Sequence, residues 1–176
     1  ALGDGGAITT NNQALAERVK ILGNYGSAIK YENLERGVNS RLDPIQAAVL
    51  SVKLKHLDNW NLRRQKIAAQ YQQAFADLPL ALPHVAENAE SVWHLYVVAT
   101  PQRDALQAYL KHAGIQSLIH YPIPPHLQQA YADLTISGLP LAEQYANQVL
   151  SLPIGPQLEQ AQVDAVINAV REYFNA

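Results

Sequence analysis

The longest regular pattern of apolar and polar positions in this chain lies in its first half. No Gly or Pro occurs in residues 45–78, and apolar residues recur there at roughly helical spacing, which predicts one very long helix. Asp43, Pro44 and Gln46 supply the N-cap, the first-turn proline and the capping-box residue of its N-terminus. Because the heptad is irregular, we interpret this helix as a strut between two substructures rather than as a coiled coil.

Shorter patterns precede the long helix. The turn-forming sequence at the start of the chain is followed by a predicted strand over residues 7–10. Asn11 or Asn12 can then cap a helix that ends at Leu22, because apolar residues lie on one face of this segment. Residues 23–40 are predicted to be a loop.

The second half of the chain alternates between strand and helix patterns. The predicted strands and helices are, in order, a strand at 92–98, a helix from 100 to 114, a strand at 115–120, and helices at 127–134, 141–150 and 159–174. A strand, a helix and a second strand in succession indicate an α/β fold.

Composition and charge exclude several classes of protein. There are 13 Lys and Arg against 15 Asp and Glu, without a run of either sign, so neither a nucleic-acid surface nor a basic membrane face is expected. No stretch approaches the ~18 apolar residues of a membrane span. Cys is absent, so disulfides and zinc thiolates are excluded. A cytoplasmic location is the default expectation, and the first residues indicate a fragment that begins within a domain.

Two short segments carry the side chains best suited to bind a ligand. Residues 37–43, GVNSRLD, place amide, hydroxyl and guanidinium groups at the start of the long helix, where the helix dipole favours an anion. Simple helix capping explains that segment equally well. His120 and Tyr121 lie where a predicted strand ends in a proline-rich turn, a common border of a cleft, although a structural histidine is the alternative interpretation.

Other catalytic patterns are missing from the sequence. His112, His120 and His126 could form a metal set, but no metal-binding pair with a helper carboxylate, such as HExxH, supports one, so no metal site is expected. Neither a GxSxG nucleophile elbow nor a glycine-rich phosphate loop occurs. The residues alone therefore lead to a candidate anion site and a candidate His-Tyr pair.

Five ordered segments resemble the DegT/DnrJ/StrS family of sugar aminotransferases. They are LGDGGAITT, GVNSRLDPIQAAVLSVKLKHLDNWNLRRQKIAAQY, HLYVV, GIQSLIHYPIPPHLQQAY and LSLPIGPQL, and together they extend over nearly the whole chain. The resemblance implies a fold of the aspartate-aminotransferase type, of which this chain is the C-terminal half. It divides the chain into a remnant of the large cofactor-binding domain, a long connecting helix and a small C-terminal α/β domain, at residues 1–42, 43–78 and 79–176.

The resemblance also implies a cofactor, pyridoxal 5'-phosphate (PLP), and roles for particular residues. The lysine that forms the Schiff base with PLP would precede Ala1, so no catalytic residue is expected within this chain. Asn39 would reach across a homodimer interface to the cofactor phosphate of the neighbouring subunit. His120 and Tyr121 would line the nucleotide-sugar pocket, whereas Arg41 and His126 would support the loops.

The activity implied by the resemblance is transamination of a nucleotide-linked keto-sugar, with glutamate as amino donor. Leu42 in the NSRLD motif favours amination at C3 of a dTDP-3-keto-6-deoxyhexose over amination at C4. Two alternatives stay open: a PLP-dependent sugar dehydratase, in which His replaces the lysine, and a non-catalytic dimerisation or interaction module. The chain by itself is expected to be inactive and to expose apolar surface along residues 43–78.

Overall fold

The chain consists of two compact units of mixed helix and strand. The computed structural model describes residues 3–134 and 138–175. The two units are Ala1–Leu57 and Asp58–Ala176. Both contain helices and strands, in agreement with the predicted α/β class. The finer division into three domains stays a prediction.

The first unit has little buried core. Its elements are α1 at Gln13–Leu22, β1 at Ser27–Ile29, β2 at Glu32–Asn33 and α2 at Pro44–Leu54. Neither α1 nor α2, both fully described, contains a buried residue. Ile45, Val52 and Leu54 stay exposed on α2, as expected for this part of the predicted apolar surface.

The start of α1 is confirmed, but its flanking segments differ from the predictions. Asn12 is the N-cap, and its Oδ1 accepts a hydrogen bond of 3.1 Å from the Leu15 amide. The strand predicted at residues 7–10 does not form, because this segment pairs with no other part of the described chain. Residues 23–40 are not a simple loop, since they contain the antiparallel β1–β2 hairpin.

Helix α2 begins at Pro44 as predicted, but the capping box does not form. The Asp43 side chain makes no capping hydrogen bond. Gln46 instead accepts a hydrogen bond of 3.1 Å from the Gly3 amide through its Oε1. The glutamine side chain therefore tethers the beginning of the described chain.

The prediction of one continuous helix from residue 45 to residue 78 is wrong. Helix α2 ends at Leu54 and a second helix, α3, occupies Leu57–Ala74. A turn at residues 55–56 separates them, beside the boundary of the compact units. Helix α2 has no buried residue and the first buried residue of α3 is Ile67, so no core packing beside the turn favours one continuous helix.

The sheet of the second unit is built on two antiparallel strands. Strand β3, Tyr96–Ala99, pairs along its length with β4, Val149–Leu152. Single bridges extend the pairing from Ala81 to β3 and from Leu118 to β4. The strand predicted at 92–98 is thus confirmed in its second half, and the one predicted at 115–120 is reduced to one bridge. Strand β4 replaces the end of the helix predicted at 141–150.

The helices of the second unit enclose a single core with this sheet. They are α3, α4 at Arg103–His112, α5 at Pro140–Gln148 and α6 at Gln160–Asn175. One-turn 3-10 helices at Pro125–Leu127 and Gln129–Tyr131 stand where a helix at 127–134 was predicted. The largest buried side chains are Ile67, Tyr71, Phe75, Tyr96, Val98, Leu106, Leu110, Leu150, Val163 and Val170. No helix in the described part of the chain is long and apolar enough to cross a membrane.

Candidate functional site

The first candidate site is the loop between β2 and α2, which carries Asn39. The backbone of Asn39 forms an isolated antiparallel bridge with Asn24, which follows α1. Arg41 connects the two asparagines: its Nε donates to Asn39 Oδ1 over 3.0 Å and its Nη1 donates to Asn24 Oδ1 over 2.9 Å. The Arg41 guanidinium also lies 5.5 Å from the centroid of the Tyr25 ring, within range of a cation–π contact. The Asn39 side chain is therefore held from one side.

Two glycines allow this loop to approach α1 and the hairpin. Gly26 has a φ of +77°, and a Cβ placed on it would lie 1.9 Å from the Glu35 carbonyl oxygen. A Cβ on Gly37 would lie 2.2 Å from the Gly26 amide nitrogen and 2.4 Å from the Leu22 carbonyl oxygen. Because backbone atoms cause both clashes, no side chain can be accommodated without displacing the loop.

The arrangement around Asn39 suits an anion. Asn39 is exposed, and its Oδ1 is occupied by Arg41, which leaves its amide nitrogen as a donor without a recorded partner among the described residues. The Ser40 hydroxyl likewise has no recorded partner in that part of the chain. Since α2 is preceded by Asp43 and no recorded bond joins Asn39 to this helix, helix capping does not account for Asn39. These donors fit the phosphate group of a cofactor.

A cavity lies beside this loop within the first unit. Its volume is about 620 Å³, and Ser40 and Arg41 form part of its wall. Lys20 and Glu17 of α1 contribute charges of both signs to the same wall. Asn39 is not among the lining residues, so the cavity and the Asn39 amide are adjacent features of the loop rather than one pocket.

The second candidate site, in the second unit, contains His120 and Tyr121. His120 is partly buried, and its Nδ1 lies 2.8 Å from the Oγ of Ser151, a buried residue of β4. Tyr121 is 74% exposed, and its ring and the His120 ring lie nearly perpendicular at a centroid distance of 5.4 Å. The structure thus places a hydrogen-bonded imidazole beside an exposed aromatic ring, which can stack on a planar or cyclic ligand.

A small cavity of about 190 Å³ adjoins His120. His94, Ser117 and Ser151 share its wall with His120, and Ser117 has a buried Oγ without a hydrogen-bond partner in the described structure. Arg64 of α3 holds one side of this wall. Its Nη1 donates to the carbonyl oxygens of Trp93, His94 and Ile154 over 3.0, 3.1 and 3.3 Å.

His126 has the contacts of a supporting residue. Its Nε2 lies 3.0 Å from Glu143 Oε1, and its side chain is 5% exposed. The hydrogen bond from His126, together with one from the Leu139 amide, holds the pKa of the Glu143 carboxyl below its ordinary value. The pair therefore fastens the segment after the proline-rich turn to the start of α5.

Sequence reasoning missed two of the residues that shape these sites. Ser151 lies in strand β4, which the sequence did not predict and whose first two residues fall within the helix predicted at 141–150. Arg64 gives no sequence signal beyond its charge. Asn39 and the His120–Tyr121 pair belong to different compact units. Among residues 3–134 and 138–175, no group of three metal-ligating side chains is close enough to hold an ion.

Comparison with known proteins gives consistent matches along the chain. Residues 1–171 match the DegT/DnrJ/EryC1/StrS aminotransferase family. A dTDP-3-amino-3,6-dideoxy-alpha-D-galactopyranose transaminase of Aneurinibacillus thermoaerophilus is 52% identical over 169 residues, which cover 96% of this chain and 47% of the relative. A dTDP-3-amino-3,4,6-trideoxy-alpha-D-glucose transaminase of Streptomyces venezuelae is also 52% identical, over 97% of this chain and 46% of the relative.

Solved structures agree with the sequence matches. The crystal structure of DesV from S. venezuelae superposes with a TM-score of 0.92 at 50% identity, over 95% of this chain and 46% of DesV. The chain spans about half the length of the relatives that it matches. Because the family match extends from residue 1 to residue 171 and the fold agrees with it, this chain belongs to the DegT/DnrJ/EryC1/StrS aminotransferase family.

Proposed function

We propose that this chain forms the C-terminal half of a PLP-dependent aminotransferase that aminates a nucleotide-linked keto-sugar with glutamate as donor. The relatives at 52% identity are transaminases named for dTDP-3-amino sugars, which favours a dTDP-3-keto-6-deoxyhexose as substrate. Within this proposal, residues 1–42 complete the large cofactor domain and residues 79–176 form the small domain. The protein is proposed to act as a cytoplasmic homodimer.

The observation that carries the proposal is the held amide of Asn39. Arg41 occupies Asn39 Oδ1, so the amide nitrogen is the group that Asn39 presents to solvent. In the proposed homodimer it donates to the cofactor phosphate of the neighbouring subunit. The positive charge of Arg41 behind it favours the anion, and the bonds of Arg41 to both asparagines keep the amide from rotating.

The members of this family use PLP, which, when bound, serves as the electron sink for amino-group transfer. The described residues contribute binding and orientation to that chemistry. His120 and Tyr121 are proposed to hold the sugar nucleotide, His120 through a hydrogen bond and Tyr121 through its exposed ring. Arg41 and His126 are proposed to support the loops around these groups.

The proposal is tested by one substitution and a matched control in the full-length protein. Asn39→Asp replaces the donor with a carboxylate that repels phosphate. Asn11→Asp adds the same charge at an exposed residue of the same unit with no recorded contact in the described structure. We expect Asn39→Asp to weaken cofactor retention at least about tenfold, as loss of a hydrogen bond to a charged group implies, and Asn11→Asp to have no effect.

The same protein preparations are used to determine which reaction the enzyme catalyses. With glutamate and a dTDP-3-keto-6-deoxyhexose, mass spectrometry is expected to show the amino-sugar product for the unsubstituted protein and the Asn11→Asp control. A deoxygenated product without nitrogen would indicate the dehydratase alternative. If the protein neither binds the cofactor nor turns over substrate, the remaining interpretation is a dimerisation or interaction module. If Asn39→Asp and Asn11→Asp retain the cofactor equally, Asn39 does not bind the cofactor phosphate.

A further inference from the structure

Ser151 is the hydrogen-bond partner of the His120 side chain, although the two residues are 31 positions apart in sequence. The backbone of Ser151 pairs with Val97 in β3 on one side and with Leu118 on the other. Its amide donates to the Leu118 carbonyl over 2.7 Å, and its carbonyl accepts from the Leu118 amide over 3.2 Å. With 5% of the residue exposed, the Ser151 hydroxyl is a buried group on a rigid strand.

The direction of the hydrogen bond between Ser151 and His120 follows from the number of available partners. A serine hydroxyl has one hydrogen, and a neutral imidazole has one N–H and one bare nitrogen. If Nδ1 carried the proton and donated to Oγ, the hydroxyl hydrogen would need a second acceptor. Oγ has no second recorded partner within the described residues. A buried donor without an acceptor is costly, so the hydroxyl donates and Nδ1 accepts.

This direction fixes the proton of the neutral ring on Nε2. In the described part of the chain, Nε2 of His120 has no recorded hydrogen-bond partner, while the ring lines the small cavity with Ser117. We propose that Ser151 is a positioning residue that holds His120 in the Nε2–H tautomer, so that His120 donates a hydrogen bond to an acceptor oxygen of the sugar nucleotide. This inference rests on the proposed function for the identity of the ligand, but the tautomer does not depend on it.

The tautomer is tested by two-bond ¹H–¹⁵N correlation spectra of the imidazoles in the full chain. Six histidines are present, and His120→Gln identifies the signals of His120 by their loss. We expect Nδ1 of His120 to resonate as an unprotonated nitrogen and Nε2 as a protonated one. Ser151→Ala should shift both signals toward the average of two tautomers, and Ser151→Thr, which keeps the hydroxyl, should restore the original pattern. Ser151→Cys serves as a second variant of similar size if Ser151→Thr does not fold.

A spectrum with Nδ1 protonated in the unsubstituted chain would overturn the proposal, and so would an unchanged pattern in Ser151→Ala. These outcomes are independent of any turnover, so they remain distinct from a failure of the proposed function.

The role toward substrate is tested in the full-length enzyme by a double-mutant cycle. His120→Gln keeps an N–H donor at the end of the side chain but has no tautomer for Ser151 to select. We expect Ser151→Ala to raise KM for the sugar nucleotide several-fold when His120 is present, with little change in kcat, and to leave KM unchanged when it is combined with His120→Gln. An equal rise in both backgrounds would mean that Ser151 is only structural and would overturn the assignment.

Discussion

In the second unit, the single side chain of Glu143 holds two loop segments in place through hydrogen bonds. Its Oε1 accepts from His126 Nε2 and from the Leu139 amide, each over 3.0 Å. One carboxylate therefore fixes both the segment after the proline-rich turn and the N-terminus of α5. Since these hydrogen bonds favour the ionised carboxyl, the pKa of Glu143 is lowered in the folded chain.

The lowered pKa gives a pH dependence of stability with a definite sign. The contribution of Glu143 is fully present above the pKa of an unfolded glutamate, about 4.3, and is lost as the pH falls through the lower folded value. We expect Glu143→Gln to lower Tm near neutral pH and the difference from the unsubstituted chain to shrink as the pH falls below about 4.

The measurement is thermal unfolding across this pH range. Glu87→Gln is the control, because Glu87 is exposed and has no recorded contact in the described structure. A difference in Tm that keeps its size at low pH would show that packing of the side chain, and not its charge, is responsible.

Helix α3 organises the chain segments that follow it through two adjacent arginines. Arg64 donates to three backbone carbonyls, those of Trp93, His94 and Ile154. Within the described residues, Arg63 donates to one backbone carbonyl, that of Leu158, over 2.9 Å. Arg64 thereby connects the segment that precedes β3 with the segment that follows β4. Both segments contribute to the wall of the small cavity beside His120.

The difference between the two arginines predicts a difference in stability. Arg64→Met should lower the free energy of unfolding by about 1–3 kcal/mol, because the carbonyls of Trp93 and Ile154, whose bonds to Arg64 are partly buried, lose a charged donor. Arg63→Met should lower the free energy of unfolding by less than Arg64→Met does. Arg64→Lys should be more stable than Arg64→Met but less stable than the unsubstituted chain, because a lysine ammonium cannot reproduce the planar array of donors of the guanidinium. Urea denaturation of the three variants measures this, and equal losses for Met at both positions would contradict it.

At the scale of the whole molecule, the two units differ in how much apolar surface they bury. Every large side chain of the buried core lies between Ile67 and Val170. In the described part of the first unit, only Gly26 and Ser27 are buried. Folding of the chain by itself therefore depends on the second unit, because burial of apolar area is the main favourable contribution.

This asymmetry predicts the behaviour of fragments. A fragment of residues 58–176 should unfold cooperatively and keep its near-ultraviolet circular dichroism, whereas a fragment of residues 1–57 should show neither property. Circular dichroism with urea titration checks both fragments. Cooperative unfolding of residues 1–57, or its absence from residues 58–176, would contradict the assignment of the core.

The sequence was informative where local signals were long or chemically specific. The cap at Asn12, the start of α2 at Pro44 and the amphipathic pattern of α6 all correspond to observed elements. Strands of two to four residues, such as β2 and β4, carry too few positions for alternation to appear. The break at residues 55–56 contains no Gly or Pro and so could not be located in advance.

Longer-range contacts explain the remaining differences. Gln46 fits a capping box by spacing, yet it bonds Gly3, which lies 43 positions earlier. For the candidate sites, the motifs drew attention to His120 and Asn39, whose roles stay predictions. The partner Ser151 could not be found from sequence, because it depends on the pairing of β4 with Leu118.

The two glycines beneath the Asn39 loop also have a practical consequence for labelling. Gly26 and Gly37 lock the base of the β1–β2 hairpin against α1, while Tyr31 at the hairpin tip is 88% exposed. Residues inserted at the tip would extend into solvent and leave the base in place. A fluorophore attached there could therefore report binding events near Asn39 without displacing the group that it is meant to observe.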